Sequence, residues 1–355
     1  MNIYVLDTSF KVIDVIDEYI SVIWTRRYFS YGDFELYLMA SENNLDVLSA
    51  GNYLVREQDI VSQSEFHNVM IISNRDIKTD VENGDNIIVT GYCLKSLLKR
   101  RIIPNQTTLS GTVENCITHL LKDNIINPSN TARAITNFVL GTNSIINSNT
   151  MQRQITGDNL SEAITEICMT YGYGYDVYIS NGNFVFYIYE GADRSYDQSA
   201  NPYIIFSTEF DNLITSDYVQ NNDNYANAAV VAGEGEGDER KKVTVGTASG
   251  LNRYEVWIDA RNSSSNDGEI SESDYLNMLR QEGVEELSEL TTTTSFEGEV
   301  DDTTNFVIGK DYFLGDCVQV ENDYGISAKT RIIEVIESED ENGSDIIPTF
   351  SEMEV

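Results

Sequence analysis

The chain of 355 residues is poor in the side chains that most often carry chemistry. It has two histidines, His67 and His119, and four cysteines, Cys93, Cys116, Cys168 and Cys317. Neither histidine lies in an H-E-x-x-H pattern or beside a cysteine or serine nucleophile motif, and neither G-x-S-x-G nor a Walker A pattern occurs. A zinc hydrolase or a serine or cysteine triad is therefore not expected. The cysteines are far apart and form no C-x-x-C pair, so isolated buried thiols are expected, not a metal or thioredoxin-like site. Cations are scarce: 23 Lys and Arg stand against 58 Asp and Glu, a formal net charge of −35. Binding to bare nucleic acid depends on cationic contacts to phosphate and is not expected. The charge fits either plain solubility or an acidic surface or channel that repels polyanions, and does not choose between them. A dense basic cluster, Lys99-Arg100-Arg101, is short and belongs to an acidic chain. It is expected to pair with acidic residues or with a neighbouring subunit.

No run approaches the roughly twenty apolar residues of a membrane helix. The start, MNIYVLDTSFKVID, carries acid early and does not read as a signal peptide. The expectation is a soluble protein made in a reducing cytoplasm. Proline is also rare, at 4, whereas Tyr reaches 21, and aromatic and β-branched residues crowd into short runs. That composition favours β-structure. The length exceeds what one core usually supports, so two or more domains are expected.

What is present is alternation. In Val22–Leu38, Val22, Trp24 and Arg26 alternate with Ile23, Thr25 and Arg27, and Phe34, Leu36 and Leu38 alternate with Glu35 and Tyr37. Tyr31-Gly32-Asp33 reads as the reversal, with Gly32 free to take φ > 0 and Asp33 able to bond the local backbone. Trp24 and Phe34 then face each other on adjacent strands and anchor a core. Residues 1–103 carry seven such strands: Ile3–Leu6, Lys11–Ile16, Ile20–Tyr28, Phe34–Met39, Tyr53–Glu57, Asn68–Asp76 and Asn86–Tyr92. Asn83-Gly84 supplies a hairpin signal, and seven short strands suggest a barrel or sandwich. Cys93–Arg100 reads as a short helix.

Residues 104–202 read as an α+β insert. Ser110–Glu114 offers an N-cap before Val113, Ile117, Leu120 and Leu121, with His119 a surface or half-buried residue of that helix. A second helix runs from near Asp158 to Tyr171 and ends at Gly172. A hairpin follows, Gly174–Ser180 and Asn183–Glu190 about Asn181-Gly182. Asp193–Pro202 reads as a linker. Strand character resumes at Tyr203–Phe206 and in Asn212–Val231. Gly233–Asp238 reads as a flexible acidic loop, not a phosphate loop, because its spacing is G-x-G-x-G and its glutamates repel phosphate. Strands are expected at Val243–Gly246 and Arg253–Arg261. Ser271 caps a helix to about Leu290 with Leu276, Leu279, Gly283 and Leu287 on one face. The end is β again, in Ser295–Val300, Cys317–Glu321, Thr330–Ser338 and Ile346–Phe350, with turns at Gly315-Asp316, Gly325 and Asn342-Gly343.

Carboxylate pairs for glycosidase work are recognised by geometry alone, and 58 acids make chance pairs abundant. Asp80–Asp85 and Glu337–Asp345 lack EF-hand spacing and read as solvated turns rather than Ca²⁺ loops.

One set of motifs resembles a known family. The pattern W-x-x-R-Y-x-x-x-G-x-F-E-L, here Trp24, Arg27, Tyr28, Gly32, Phe34, Glu35 and Leu36, resembles the start of siphophage minor tail proteins that form the tail hub. GEGEGDER at Gly233–Arg240, LNRYEVWIDAR at Leu251–Arg261, GVEELSEL at Gly283–Leu290 and FEGEV at Phe296–Val300 continue the likeness. So do Gly309–Ile326, Thr330–Ser338 and the closing PTF. The resemblance covers nearly the whole chain. It implies a mainly β fold with α+β inserts: two tail-tube-like β-barrel domains and two smaller decorating domains. Here these would be residues 1–103 (first barrel), 104–202 (insert), 203–232 with 291–355 (second barrel) and 233–290 (helix-containing insert).

The resemblance further implies a structural hub at the distal end of the tail tube of a phage or prophage. Three chains would form a pseudo-sixfold ring, with the distal tail or tube protein on one side and a tail-tip or fiber protein on the other. DNA would pass through the bore without specific binding, and the protein would sit at the virion tail tip after assembly in the host cytoplasm. No cofactor, metal or catalytic residue is implied. Many relatives carry a further C-terminal wall-degrading or host-binding domain, and this sequence stops at Val355. Two alternatives remain: a tail-associated cell-wall hydrolase using carboxylates, and a receptor- or glycan-binding tail module suggested by the tyrosines. The residues expected to matter are architectural: Trp24, Gly32 and Phe34 in the first barrel, and Gly315 and Asp316 at the turn into the strand that begins at Cys317.

Overall fold

Strict alternation decides the first third of the chain. The computed structural model describes residues 1–79, 84–145, 148–215, 217–297, 306–325 and 327–352. Its opening strands are β1 (Ile3–Leu6), β2 (Val12–Ile16), β3 (Ser21–Arg27) and β4 (Asp33–Met39). After a short helix α1 (Glu42–Val47) come β5 (Tyr53–Arg56), β6 (Ile60–Ser62), β7 (Glu65–Phe66), β8 (Met70–Lys78) and β9 (Asn86–Cys93). β3 buries Val22 and Trp24 and exposes Ile23, and β4 buries Phe34, Leu36 and Leu38. One face is therefore core and the other is wet. β8 pairs antiparallel with β9 down to Lys78 opposite Asn86. The Asn83 half of the expected turn lies outside the described residues, as does most of the Asp80–Asp85 loop. Leu94–Arg100 is a 3₁₀ helix.

The middle of the chain adds β10 (Thr107–Thr112), α2 (Val113–Leu121), β11 (Phe138–Leu140), β12 (Thr150–Ile155), α3 (Leu160–Tyr171), β13 (Gly174–Ser180) and β14 (Asn183–Tyr189). Within the expected Ser110–Glu114 stretch, Thr112 caps α2 by accepting from the Asn115 N–H at 3.4 Å. Ser110 is instead inside β10, which pairs with β12. Neither strand was legible as such, because polar Thr, Ser and Gln dominate both. α3 ends at Gly172 in the left-handed conformation, which glycine adopts without a Cβ penalty. β13 and β14 pair about Asn181-Gly182, both with positive φ, as a two-residue primed turn requires. The buried faces of α2, α3, β13 and β14 join Leu6, Tyr53, Val55 and Ile71 of the opening strands in one hydrophobic cluster.

The remaining elements are β15 (Ile205–Ser207), β16 (Asp217–Asn221), β17 (Ala228–Ala232), β18 (Lys242–Val245), β19 (Glu255–Asp259), α4 (Glu272–Glu289), β20 (Thr293–Glu297), β21 (Cys317–Glu321), β22 (Ser327–Asp340) and β23 (Gly343–Glu352). Ser271 caps α4. Tyr275 and Leu279 of α4 pack with Ala229, Val231 and Ile258 of the small sheet β18-β17-β19, with Leu276 and Leu287 half-buried beside them. Met278 is buried too, whereas Val284 faces outward. The Gly233–Asp238 stretch is anchored at its start: the Gly233 N–H donates to Lys241 O and the Lys241 N–H to Glu234 O, both at 2.9 Å. Glu337–Asp345 is the β22–β23 hairpin, with the Asn342 N–H donating to Asp340 Oδ1 at 2.7 Å.

The two ends of the chain meet in one sheet. Its order is β16-β20-β23-β22-β3-β4-β9-β8-β5-β1-β2, with β21 also on β22 and β15 on β21. β22 divides its length: Ser327–Arg331 pairs with β21, Glu334–Asp340 pairs with β3, and β23 lines it from Thr330 to Asp340, with a bulge between Ile332 and Glu334. Among the described residues no pairing closes this sheet on itself. Its two ends are β16 and β2, and β2 exposes Val12 (48%), Ile13 (44%) and Val15 (38%).

Candidate functional site

Where β3 runs out, Tyr28 enters a place that four distant segments share. Its N–H donates to Ile333 O at 2.8 Å, holding the end of β3 against the bulge of β22. Its side chain is fully buried. Its hydroxyl oxygen lies 3.1 Å from Gly172 O and 3.3 Å from Tyr189 O, and accepts from the Gly191 N–H at 3.2 Å. The ring lies between two glycines: a Cβ on Gly174 or on Gly315 would stand 2.2 Å from it. Gly315 also has φ +95°, a region side chains rarely enter. The Arg331 guanidinium sits 5.4 Å from the ring centroid and donates to Gly315 O at 2.7 Å. Burial pushes the Tyr28 hydroxyl up to about 12, with Arg331 opposing, so it stays protonated at neutral pH.

Asp316 completes this junction. It is 2% exposed, and its carboxylate accepts from the Ala192 N–H at 2.7 Å, Arg194 Nε at 2.6 Å and the Phe313 N–H at 3.0 Å. The Cys317 N–H donates to Ala192 O and the Arg194 N–H to Cys317 O. The stretch expected to be a linker, Asp193–Pro202, is thus bound to β21. Asp193 pairs with Lys329 at 2.7 Å and holds the Ser195 hydroxyl and N–H. Lys95, 4% exposed, fixes the loop after β3 from the other side by donating to the carbonyls of Arg27, Tyr28 and Ser30.

A second cluster ties β22 to the opening core. Trp24 is fully buried and pairs with Phe34 across β3–β4, with ring centroids 5.9 Å apart. Arg56, 1% exposed, lies 5.2 Å over the indole. It donates to Asp59 Oδ2 at 2.6 Å and also to the Glu337 carboxylate, which stands 3.2 Å from Arg26 Nε. Burial pushes the Glu337 carboxyl up, but Arg26 and Arg56 outweigh it and hold the pKa below the ordinary value.

A third cluster joins α4 to α3 and β12. Arg153 pairs with Glu166 at 2.6 Å and has Nη1 2.8 Å from Glu285 Oε2 without hydrogen-bond alignment. Burial raises the carboxyl pKa of Glu282, Glu285, Glu286 and Glu289 along this side of α4.

The five expected residues fall in two groups. Trp24, Gly32 and Phe34 lie at β3–β4, and Gly315 and Asp316 at the Tyr28 junction. Gly32 does not take the expected positive φ. Glycine is needed there for close approach, because a Cβ would stand 2.0 Å from Thr25 O. Asp33 accepts from the Arg27 guanidinium rather than from the local backbone. Arg56, Arg331 and Glu337 were not singled out as site residues and Tyr28 entered only as a motif position, since their partners are far off in sequence, 281 residues for Arg56 and Glu337. His67 pairs with Glu65 and His119 with Asp123. Among the described residues no group of three or more His, Cys, Asp and Glu is placed to hold a metal. No described helix is long and apolar enough to cross a membrane.

The comparisons with known proteins agree with one another. Residues 2–350 match the family model described as Siphovirus ReqiPepy6 Gp37-like protein. A tail protein from Neisseria meningitidis MC58 is similar in fold, with a TM-score of 0.60 at 15% identity, over 99% of this chain and 96% of that one. The 43 kDa tail protein of prophage MuSo2 from Shewanella oneidensis gives 0.59 at 13%, over 99% and 98%. The prophage tail protein gp18 from Listeria monocytogenes EGD-e gives 0.53 at 14%, over 99% and 94%. No curated protein matches the chain by sequence.

Proposed function

Because the chain belongs to the family of Siphovirus ReqiPepy6 Gp37-like proteins, and so to the tail proteins of phages and prophages, we propose that it is the structural hub of the tail. In this reading it closes the distal end of the tail tube and joins it to the tip. Three copies form a pseudo-sixfold ring, each contributing two tube-like β-modules, residues 1–103 and 203–232 with 291–355, decorated by 104–202 and 233–290. A tube or distal tail protein contacts one side and a tip or fiber protein the other. DNA passes through an acidic bore without sticking, as a net charge of −35 favours.

The observation that carries this reading is the β3–β22 ladder. It sets strands from the first and the last parts of the chain side by side in one sheet. The apolar side chains exposed on the terminal strand β2 support it further. An unpaired apolar edge is a liability unless an assembly covers it, and closed rings of like subunits leave no such edge.

The test is the mass of the protein in solution, followed by density maps of assembled tails with this chain tagged. Three copies at the distal end of the tube are expected. Six copies, or a position along the tube, would overturn the reading. Zymography on bacterial cell walls separates it from wall hydrolysis, for which clearing abolished by one Asp or Glu substitution would speak.

A further inference from the structure

We propose that Arg100, Arg101 and Arg133 form a docking surface for an acidic face of a second copy of this chain. This rests on the reading of the protein as a ring of like copies. The three arginines come together where the 3₁₀ helix Leu94–Arg100 passes into residues 104–202. Arg101 Nε donates to Arg133 O at 2.6 Å and Arg101 Nη1 to Arg100 O at 2.9 Å, while the Arg133 guanidinium donates to Ile102 O and, at 3.0 Å, to Asn124 Oδ1. Every one of these acceptors is a carbonyl or an amide. Among the described residues no carboxylate lies in ion-pair range of the three.

Eight of the other eleven arginines face carboxylates, among them Arg26, Arg27, Arg56, Arg153, Arg194 and Arg240; Arg75, Arg280 and Arg331 bond carbonyl or amide oxygens instead. What sets Arg100, Arg101 and Arg133 apart is that they are joined to one another. Acids outnumber bases 58 to 23, so a like-charged knot without acid is not an accident of supply. The Arg101 pKa sits below its ordinary value, through burial first and then the repulsion of Arg133 and Arg100. A carboxylate arriving there would relieve that repulsion. Lys99, next in sequence, is already occupied: its ammonium donates to the Tyr31 hydroxyl and lies 5.1 and 5.2 Å from the Tyr31 and Tyr92 rings.

The surroundings suit a protein contact. Ile102 is 54% exposed between the arginines, and Arg133 forms one wall of an open polar cleft of about 410 Å³ shared with Pro104, Asn105, Gln106 and Asp123. Arginine is among the side chains enriched at binding hot spots. The choice of partner follows from charge. Copies that each carry −35 repel at long range, so contact between them needs local cations. Free polyanions meet the same repelling field without a fitted surface.

The test is sedimentation of the full chain across concentration, at about 0.05 and 0.5 M salt, comparing Arg100→Glu with Lys310→Glu. Both variants change net charge equally, and both residues are exposed. Arg100→Glu is expected to weaken self-association about tenfold or more, and Lys310→Glu to leave it as in the parent. A second arm uses Arg100→Lys, zero-length carbodiimide cross-linking and a mixture of ¹⁴N- and ¹⁵N-labelled protein. Cross-links from Lys at position 100 to acidic peptides of the other isotope are expected. The Lys329–Asp193 pair, 2.7 Å apart within one chain, reports same-isotope links as a control. If the parent associates but Arg100→Glu associates equally well and position 100 links only within its own chain, the docking surface is overturned and the ring reading stands. If the parent stays monomeric at every concentration and yields no mixed-isotope link, the docking surface falls, and the ring reading is decided by the maps of assembled tails.

Discussion

Glu337 stands directly opposite Trp24 in the β22–β3 ladder, and its carboxylate reaches across to Arg26 and to the Arg56 that covers the Trp24 ring. A residue near the C-terminus thereby supplies the counter-charge for a cation buried over the N-terminal core. Removing it leaves Arg56 with Asp59 alone. Glu337→Gln is expected to destabilise the protein by about 3 kcal/mol, as loss of one member of a buried ion pair does. Equilibrium denaturation measures this.

The same carboxylate gives a pH signature. Its folded pKa lies below the ordinary value of 4.5. Its contribution is therefore complete above the unfolded value and is lost as pH falls through the depressed folded value. The parent should lose stability on the acid side of that window, and Glu337→Gln should lose less. Melting temperatures across the acid range check it.

The glutamates of α4 carry the opposite sign. Burial raises the carboxyls of Glu286 and Glu289, with the neighbouring Glu166 adding to it. The folded state then holds protons more tightly than the unfolded one. Their ionisation penalises the fold as pH rises through the raised values, and that penalty is absent below the unfolded value. Glu286→Gln with Glu289→Gln is expected to raise the melting temperature at neutral pH and to leave it unchanged well below the ordinary carboxyl range.

Trp24→Ala is expected to cost about 3–5 kcal/mol, through lost burial and the cavity left beside Phe34. An unchanged unfolding midpoint would remove Trp24 from the core.

At the Tyr28 junction, Gly315→Ala would force a methyl against the ring at a backbone conformation alanine resists, and should cost about 1–3 kcal/mol. Tyr28→Ala alone should cost about 3–5 kcal/mol. Together they should cost less than the sum, because the small side chain makes room for the methyl. A double-mutant cycle of unfolding free energies measures the difference; strict additivity would mean that the ring and Gly315 do not meet.

What the sequence disclosed was local. Asn181-Gly182, the Ser271 cap and the alternation in β3 and β4 are each written within a few residues, and each is found in the structure. What it concealed was distant or polar. β10 and β12 carry little apolar alternation, so their pairing could be seen only with both strands in place. Within Ser110–Glu114 the cap is Thr112, the residue at which β10 ends and α2 begins. The role of Arg56 depends on Glu337, and that of Tyr28 on Gly174, Gly191 and Gly315, contacts that no short-range pattern encodes. The expected positive φ at Gly32 failed for a similar reason. A reversal and a tight crossing both call for glycine, and only the position of Thr25 O tells them apart.

β22 lies between β23, from Thr330 on, and, on its other side, β21 for one half and β3 for the next. Tension drawn along it would load many hydrogen bonds in parallel rather than peel them one at a time. A strand held on both sides in this way resists sliding, and slippage would have to start at its one irregularity, the bulge that Tyr28 grips.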